Sequence, residues 1–299
     1  MREDCRYREK QSLSHFVTAP FTQGSLQVEK IYKSISQDIP VLSDFRLLQT
    51  AKLMIIQGES NNMQISTILF DLDGTLLPMD LSKFIKGYLD ILAEKMALHG
   101  YEPEQLIDTI WSGMEAMLLN DGTYTNEKVF WNKFSEVYGD KAKTDKKIFD
   151  DFYDNDFNLA QKYCGTNPKI PSIINKLKKE GYPLILATSP IFPAAATYNR
   201  IKWAGLKPSD FEYISTYENS NYSKPNLKYY QELIDKLKID PKSCLMIGNN
   251  VDEDMIASEL GMSVFLLTDD LINKSNSDIS KYANGGTDEL IEYLNQLNI

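Results

Sequence analysis

The sequence predicts an α/β fold in which a Rossmann-like parallel sheet forms the core and a block of four helices is inserted into it. Two observations predict this fold. After residue 160, apolar segments of strand length alternate with helix-like segments, as in sheets whose strands are joined by crossover helices. Between residues 80 and 160, by contrast, apolar residues repeat at helical spacing throughout.

The first predicted strand, residues 65–70, is a short apolar run that ends in two aspartates. The helical block follows it. In the first two predicted helices the apolar positions lie mostly three or four residues apart, and polar segments containing Gly, Pro or Asn separate the helices. These apolar positions are Ile85, Leu89, Leu92 and Met96, followed by Leu106, Ile110, Met114 and Met117.

The second half of the block predicts a third and a fourth helix, with a polar break at residues 138–145 between them. Aromatic side chains are prominent in the block. They have two interpretations: they line a substrate pocket, or they pack the interior of the helical block. These residues are Trp111, Phe130, Trp131 and Phe134.

Four more strands and five more helices are predicted after the block, in alternation. The predicted strands are residues 183–187, 211–216, 244–248 and 263–267. The predicted helices are residues 171–179, 193–204 and 227–237, a segment that ends before Gly261, and residues 288–297.

Composition and charge limit the classes of protein that the chain can represent. The 299 residues are 42% hydrophobic and 25% charged, which is ordinary for a globular protein of about two domains. The net charge of −10 argues against nucleic acid or an anionic membrane surface as the main partner. Because no apolar run approaches the length of a membrane span or of a signal peptide, we expect a soluble cytoplasmic protein.

The few cysteines and histidines argue against several kinds of site. Cys5, Cys164 and Cys244 are scattered and lack paired spacing, so neither a disulfide framework nor a thiolate zinc site is indicated. His15 and His99 lie far apart, which argues against a histidine-rich zinc site and a Ser-His-Asp hydrolase. Both histidines are interpreted as structural.

Residues 1–62 are nearly balanced in charge, unlike the acidic remainder, and contain no recognisable chemistry. Two interpretations are open. In one, translation begins at Met63, since common bacterial codons for Gln57-Gly58-Glu59 would spell a ribosome-binding sequence. In the other, the segment is a genuine N-terminal extension whose apolar residues form one or two helices.

Polar side chains lie where the predicted strands end. Asp71 and Asp73 follow the first strand, Thr188 and Asn249 follow two others, and Lys224 stands at the start of a helix. The carboxyl ends of parallel strands meet at one edge of a sheet, where ligands bind. Two carboxylates this close repel each other and are costly to bury, so the pair indicates chemistry rather than stability.

These residues belong to segments that resemble a known family. FDLDGTL, the strand-end Thr188, Lys224-Pro225 and GNNVDED resemble, in order and spacing, the four motifs of the haloacid dehalogenase superfamily, over residues 65–299. The resemblance implies a phosphatase branch with a helical C1-type cap. Residues 63–79 and 160–299 would then form the core domain, and residues 80–159 the cap domain.

The resemblance also implies a Mg²⁺-dependent phosphatase that acts on a small phosphorylated metabolite through a phospho-aspartate. Asp71 would be the nucleophile and a metal ligand. Asp73 would protonate the leaving oxygen and activate water, and its backbone carbonyl would bind the metal. Gly74 would permit the turn, and Thr188, Ser189 and Lys224 would bind the phosphoryl group. These are the substrate-binding candidates Gly74, Thr188, Ser189 and Lys224.

The fourth motif departs from the family pattern. The family usually has a metal-binding Asp after the strand-end Gly, but this chain has Asn249. An amide oxygen can bind Mg²⁺ without contributing charge, and Asp254 is a second candidate ligand. Asp252 and Glu253 are interpreted as acidic residues favoured at a helix N-terminus.

Two other function classes stay open on the sequence. One is a different covalent chemistry on the same fold, either phosphomutase or carbon-halogen hydrolysis. The dehalogenase reaction needs no acid at the second aspartate position, so Asp73 disfavours it. The other is a non-catalytic binding protein, for which Asn249 is the only support.

Overall fold

A six-stranded parallel sheet forms the centre of the structure, a computed structural model that describes residues 65–299. The strand order is β3-β2-β1-β4-β5-β6, and every strand pair is parallel. The predicted α/β fold with a Rossmann-like sheet is therefore confirmed. The interpretations of residues 1–62 lie outside the described residues.

The central strand, β1, is the first strand in the sequence. Its neighbours are β2 and β4, and Phe70 at its end is in register with Leu186 and Ile247. These three strands are fully buried, which explains why they consist of continuous apolar runs. The strands are β1 (Thr67–Phe70), β2 (Leu184–Leu186), β3 (Tyr213–Ile214), β4 (Cys244–Gly248), β5 (Ser263–Leu267) and β6 (Ala283–Gly285).

The sixth strand is absent from the sequence-based expectation. Its three residues, Ala-Asn-Gly, have neither the alternation nor the apolar character of a strand. It lies at the edge of the sheet and pairs only with β5 among the described strands, through registers such as Leu266 with Asn284. Pairing with an existing strand edge, rather than local propensity, forms this strand.

Four consecutive helices follow β1, as the apolar periodicity predicts. They are α1 (Leu81–Ala97), α2 (Pro103–Leu118), α3 (Asn126–Tyr138) and α4 (Asp140–Asp154), and a 3₁₀ segment, Asp156–Tyr163, follows them. We call residues 81–163 the helical insertion. The break predicted at residues 138–145 is wrong in length, because Gly139, at φ 56°, ends α3 and α4 begins at the next residue.

Four further helices cover the sheet, and most agree with the predicted segments. They are α5 (Lys169–Lys179), α6 (Ala194–Trp203), α7 (Leu227–Leu237) and α8 (Thr287–Gln296). The segment predicted as a helix before Gly261 is a 3₁₀ turn, Met255–Leu260. Lys224 precedes α7 by three residues, so it lies in a loop rather than at the helix start.

The structure also shows the state of two cysteines and one histidine that the sequence analysis considered. Cys164 and Cys244 are free thiols. His99 is exposed, and its backbone carbonyl accepts a hydrogen bond from the Lys141 ammonium at 3.0 Å. None of the helices within residues 65–299 combines the length and the apolar character that a membrane span requires.

Candidate active site

The carboxyl edge of the sheet collects the polar residues that follow β1, β2 and β4. Asp71 directly follows β1 and is buried, and its backbone N–H donates to the Ile247 carbonyl at 2.9 Å. Thr188 lies two residues beyond β2, and Asn249 lies one residue beyond β4; both are buried. Because β2 and β4 pair with β1, the three strand ends lie side by side.

A tight turn follows Asp71. The backbone N–H groups of residues 75–77 donate to the Leu72 carbonyl at 3.2, 3.0 and 2.8 Å. Gly74 has φ 83°, and a Cβ atom there would lie 2.2 Å from Nδ2 of Asn249. Glycine is therefore required both by the left-handed backbone and by the close approach of Asn249.

Lys224 lies between two carboxylates. Its Nζ is 2.9 Å from Oδ1 of Asp71 and 2.6 Å from Oδ1 of Asp254, and its side chain is fully buried. Burial alone would lower the pKa of Lys224, but the charges of Asp254 and Asp71 outweigh it and hold that pKa well above its usual value. A fixed ammonium thus stands beside the predicted nucleophile.

Both carboxylate oxygens of Asp254 have partners within the protein. Oδ1 receives the Lys224 ammonium, and Oδ2 accepts the Asn250 backbone N–H at 2.9 Å. Burial raises the pKa of Asp254 to about 7, against the opposing effect of Lys224. Gly248 permits this packing, since a Cβ atom at that position would lie 2.2 Å from Cγ of Asp254.

Asp73 pairs with Arg200, a residue that the sequence analysis did not single out. The guanidinium Nη1 of Arg200 donates to Oδ2 of Asp73, and the Arg200 side chain is fully buried. Burial raises the pKa of Asp73, with Arg200 opposing and Asp71 adding to the rise. The sequence contained one sign of this pair, a single arginine within the helix predicted at residues 193–204.

Thr75 and Asp270 are also site residues that the sequence analysis missed. The Thr75 hydroxyl lies 3.1 Å from Oδ1 of Asn249 and 3.4 Å from Oδ2 of Asp71. Nδ2 of Asn249 donates to the Asp270 carbonyl at 2.6 Å. The amide oxygen of Asn249 therefore faces the same hydroxyl as the carboxylate of Asp71.

The remaining predicted residues lie in two places: Thr188 and Ser189 follow β2, whereas Asp252 and Glu253 follow β4. The carbonyl of Thr188 accepts the Tyr229 hydroxyl at 3.0 Å, which fixes the backbone after β2, and Ser189 next to it is half-buried. Oδ1 of Asn250 accepts the backbone N–H groups of Asp252 and Glu253 at 3.1 and 3.3 Å. These two acidic residues are half-buried and begin the turn before the 3₁₀ segment.

The helical insertion is bonded to the loops of the site through Asn126. Its side-chain amide donates to the Pro190 carbonyl at 3.0 Å and to the Ser223 hydroxyl at 3.0 Å, and Asn126 is fully buried. Pro190 follows Ser189, and Ser223 precedes Lys224 in the chain. One side chain of the insertion thus contacts both loops that carry the predicted phosphate-binding residues.

An apolar cavity of about 20 Å³ lies between the insertion and the loop after β2. Two of the four aromatic residues with open interpretations, Phe130 and Trp131, line it, whereas Phe134 is fully buried. Phe130 and Trp131 also pack against Phe134, at ring-centroid distances of 5.8 and 5.3 Å, which favours the packing interpretation. A cavity of this size holds about one water molecule, so the substrate-pocket interpretation stays a prediction. The lining residues are aliphatic or aromatic: Tyr88, Ile110, Met114, Phe130, Trp131, Phe149, Tyr153, Ile191, Phe192, Pro193 and Tyr217.

The fold and the site share one combination of features, a parallel sheet whose central strand ends in a carboxylate pair, with a helical insertion after that strand. The chain belongs to the haloacid dehalogenase-like hydrolase family, whose model matches residues 65–260. The resemblance drawn from the four motifs is thereby confirmed.

Individual relatives are distant. The chain is 25% identical over 131 residues to a glyceraldehyde 3-phosphate phosphatase of Methanothermobacter thermautotrophicus, an alignment that spans 44% of this chain and 56% of the relative. It is 24% identical over 207 residues to a phosphoglycolate phosphatase of Vibrio vulnificus, covering 69% and 84% of the two chains. A HAD phosphatase from Thermococcus onnurineus aligns in structure with 20% identity and a TM-score of 0.49, covering 77% and 97%.

Proposed function

We propose that this protein is a phosphatase that hydrolyses small phosphate monoesters through a phospho-aspartate at Asp71. The observation that carries the proposal is the buried Lys224 ammonium 2.9 Å from the Asp71 carboxylate, with Asp73 two residues away. A carboxylate approaches an anionic phosphoryl group only where positive charge offsets the repulsion. The relatives named as phosphatases of glyceraldehyde 3-phosphate and phosphoglycolate favour the same class of substrate.

The reaction would have two steps. In the first, a carboxylate oxygen of Asp71 forms a bond to phosphorus while the ester P–O bond breaks, and Asp73 gives its proton to the leaving oxygen. In the second, water attacks phosphorus, Asp73 takes the proton of that water, and the bond between Asp71 and phosphorus breaks. Thr188 and Ser189 would donate to the phosphoryl oxygens, and Lys224 would balance their charge.

The residues at the edge of the sheet fit Mg²⁺. Within residues 65–299 no group of three His, Cys, Asp or Glu side chains forms a metal site, so the ligands proposed here include neutral oxygens. They are the Asp71 carboxylate, the Asp73 backbone carbonyl and the Asn249 amide, all hard oxygen donors of the kind that Mg²⁺ prefers. Mg²⁺ bound there would lower the repulsion between Asp71 and the phosphate.

Asn249 is the better candidate of the two alternative ligands. Its Oδ1 faces the same Thr75 hydroxyl as the Asp71 carboxylate. Asp254 instead meets Asp71 through the Lys224 ammonium, which would repel a cation, and its other oxygen accepts the Asn250 N–H. We therefore assign Asp254 the role of holding the ammonium of Lys224 next to Asp71.

The helical insertion would act as the cap that encloses the leaving group. The apolar cavity and the Asn126 contacts both lie where the insertion meets the loops of the site. Enclosure excludes water from the phosphoryl transfer and allows the insertion to select the substrate.

The test is release of phosphate from 4-nitrophenyl phosphate by the full chain, with Mg²⁺ and with a chelator. We expect turnover only with Mg²⁺, and its loss in Asp71→Asn, because an amide cannot form the acyl phosphate. Asp252→Asn, a change at a half-buried acidic residue of the same sheet edge, serves as the matched control and should keep the wild-type rate. Near-wild-type rates in Asp71→Asn, or halide release from a 2-haloacid without metal, would contradict the proposal.

A further inference from the structure

The guanidinium of Arg200 is held from several sides. Nε donates to the Ala196 carbonyl at 3.4 Å, Nη2 donates to the Thr197 hydroxyl at 3.3 Å, and Nη1 donates to Oδ2 of Asp73. The Phe192 ring lies 4.3 Å from Cζ of the guanidinium. Arg200 is therefore fixed in orientation by its own helix and by the loop before that helix.

The two oxygens of Asp73 are unequal as a result. Oδ2 receives the guanidinium, whereas Oδ1 is buried and has no hydrogen-bond partner in the described part of the chain. A buried carboxylate oxygen without a partner is unfavourable unless a ligand supplies one. Rotation about the Cβ–Cγ bond of an aspartate has a broad, two-fold preference. Contacts with neighbouring groups must therefore determine the direction in which each carboxylate oxygen points.

We propose that Arg200 is the positioning residue of the acid–base carboxylate, binding Oδ2 of Asp73 so that Oδ1 is presented to the leaving-group oxygen. This inference rests on the proposed phosphatase function. When the ester P–O bond breaks, the proton on Oδ1 passes to the leaving oxygen, and Asp73 is left as a carboxylate whose Oδ2 remains bound to Arg200. In the hydrolytic step Oδ1 takes a proton from water and the starting state is restored.

The competing explanation is that the pair only stabilises the fold. Buried ion pairs often contribute little net stability, although removal of one partner is costly because the other charge is left uncompensated. Loss of stability in an Arg200 variant would therefore not distinguish the two explanations. Dependence of the rate on the leaving group does, because protonation matters only for poor leaving groups.

The experiment compares kcat/KM for benzyl phosphate, which has a poor leaving group, with kcat/KM for 4-nitrophenyl phosphate, which has a good one. This constant reports the steps up to cleavage of the ester bond. In Arg200→Met we expect a loss of about 100-fold on benzyl phosphate, the scale of general acid catalysis, and a loss of less than about 5-fold on 4-nitrophenyl phosphate. Arg200→Lys should recover most of the loss on benzyl phosphate.

Two further variants isolate the interaction. In an Asp73→Asn background, Arg200→Met should cause no additional loss on benzyl phosphate, because the proton donor is already absent. Asn199→Ala serves as a structural control in the same helix, since the Asn199 side chain donates to the Tyr153 carbonyl at 2.9 Å. It should change both substrates by the same factor.

Equal losses on the two esters in Arg200→Met, without recovery in Arg200→Lys, would overturn the proposal. If Arg200→Met does not fold, as judged by circular dichroism, the comparison of Arg200→Lys with the wild type decides: a larger loss on benzyl phosphate supports the role, and an equal loss overturns it. Failure of the proposed function is a separate outcome, because the wild type would then hydrolyse neither ester.

Discussion

Asn249 has contacts that only an amide can make together. Its Nδ2 donates to the Asp270 carbonyl at 2.6 Å, while its Oδ1 accepts from the Thr75 hydroxyl. An aspartate at this position would place a carboxylate oxygen against the Asp270 carbonyl, with no proton between them. The hydrogen bond to Asp270 thus gives a structural reason for asparagine where the family usually has aspartate.

Asn249→Asp should therefore lower the stability of the protein without metal but strengthen its binding of Mg²⁺. Without Mg²⁺ we expect a lower Tm than wild type, because of the repulsion from the Asp270 carbonyl. With Mg²⁺ the added charge should stabilise binding and lower the half-saturating concentration about tenfold, which corresponds to about 1.4 kcal/mol. Thermal unfolding and activity, each titrated with Mg²⁺, measure the two effects.

Asp254→Asn is the matched comparison for that experiment. Because Asp254 bonds to Lys224 and the Asn250 N–H, we expect reduced turnover with an unchanged Mg²⁺ requirement. An unchanged Mg²⁺ dependence in Asn249→Asp, combined with a changed one in Asp254→Asn, would show that Asp254 is the ligand instead.

At the scale of elements, α4 is tied to the loop between α1 and α2 by one carboxylate. Oδ2 of Asp145 accepts the Tyr101 hydroxyl at 3.1 Å and also receives the Lys141 ammonium. The hydrogen bond from Lys141 and the one from Tyr101 hold the pKa of Asp145 below its usual value, although burial opposes them. Tyr101 is itself buried, so this contact connects the polar face of α4 to the interior of the insertion.

The stabilising effect of Asp145 should depend on pH. A depressed pKa in the folded state means stability that is present above the unfolded pKa of about 3.9 and is lost as pH falls through the folded pKa. We expect Asp145→Asn to lower the free energy of unfolding by about 0.5 kcal/mol at pH 7, since the Lys141 partner is partly exposed. The difference from wild type should shrink below about pH 4 in urea denaturation.

Asp140→Asn provides the control on the same helix. Asp140 pairs with Lys143 at 3.1 Å, but both side chains are largely exposed. Its replacement should lower the free energy of unfolding at pH 7 by at most about 0.3 kcal/mol, through loss of a negative charge in the first turn of α4. A loss of stability in Asp145→Asn that is equally large at pH 3 and pH 7 would mean that packing, not charge, is responsible.

At the scale of the molecule, residues 65–299 contain every strand of the described sheet and all of the proposed site residues. The region that matches the family, residues 65–260, lies within them. The contacts of the site among the described residues, from Asp71 to Asp270, join side chains and backbone groups of this region. A protein beginning at Met63 therefore has the elements that the proposed reaction requires.

We expect a chain that starts at Met63 to fold and to hydrolyse 4-nitrophenyl phosphate with the kcat/KM of the full chain. Circular dichroism and the phosphate-release assay, applied to both proteins side by side, check this expectation. An insoluble or inactive truncated protein beside an active full chain would assign residues 1–62 a part in folding or catalysis.

Local sequence patterns were enough to predict most of the helices and strands and the carboxylate pair after β1. Apolar periodicity acts over a few residues, so it was sufficient to predict five of the six described strands, the four inserted helices and most of the other helices. The turn after Asp71 is equally local, since it needs only Gly74 and three N–H groups directed at one carbonyl. The ordered motifs then indicated the family, which the family match confirms.

The partners of the functional side chains, by contrast, are known only from the folded protein. Arg200 meets Asp73 across 127 positions of sequence, and Lys224 meets Asp71 across 153. Such pairs depend on how distant loops and helices pack on the sheet, so no local pattern reveals them. No local pattern reveals β6 either, because its three residues form a strand only by pairing with the edge of β5 that β4 leaves free.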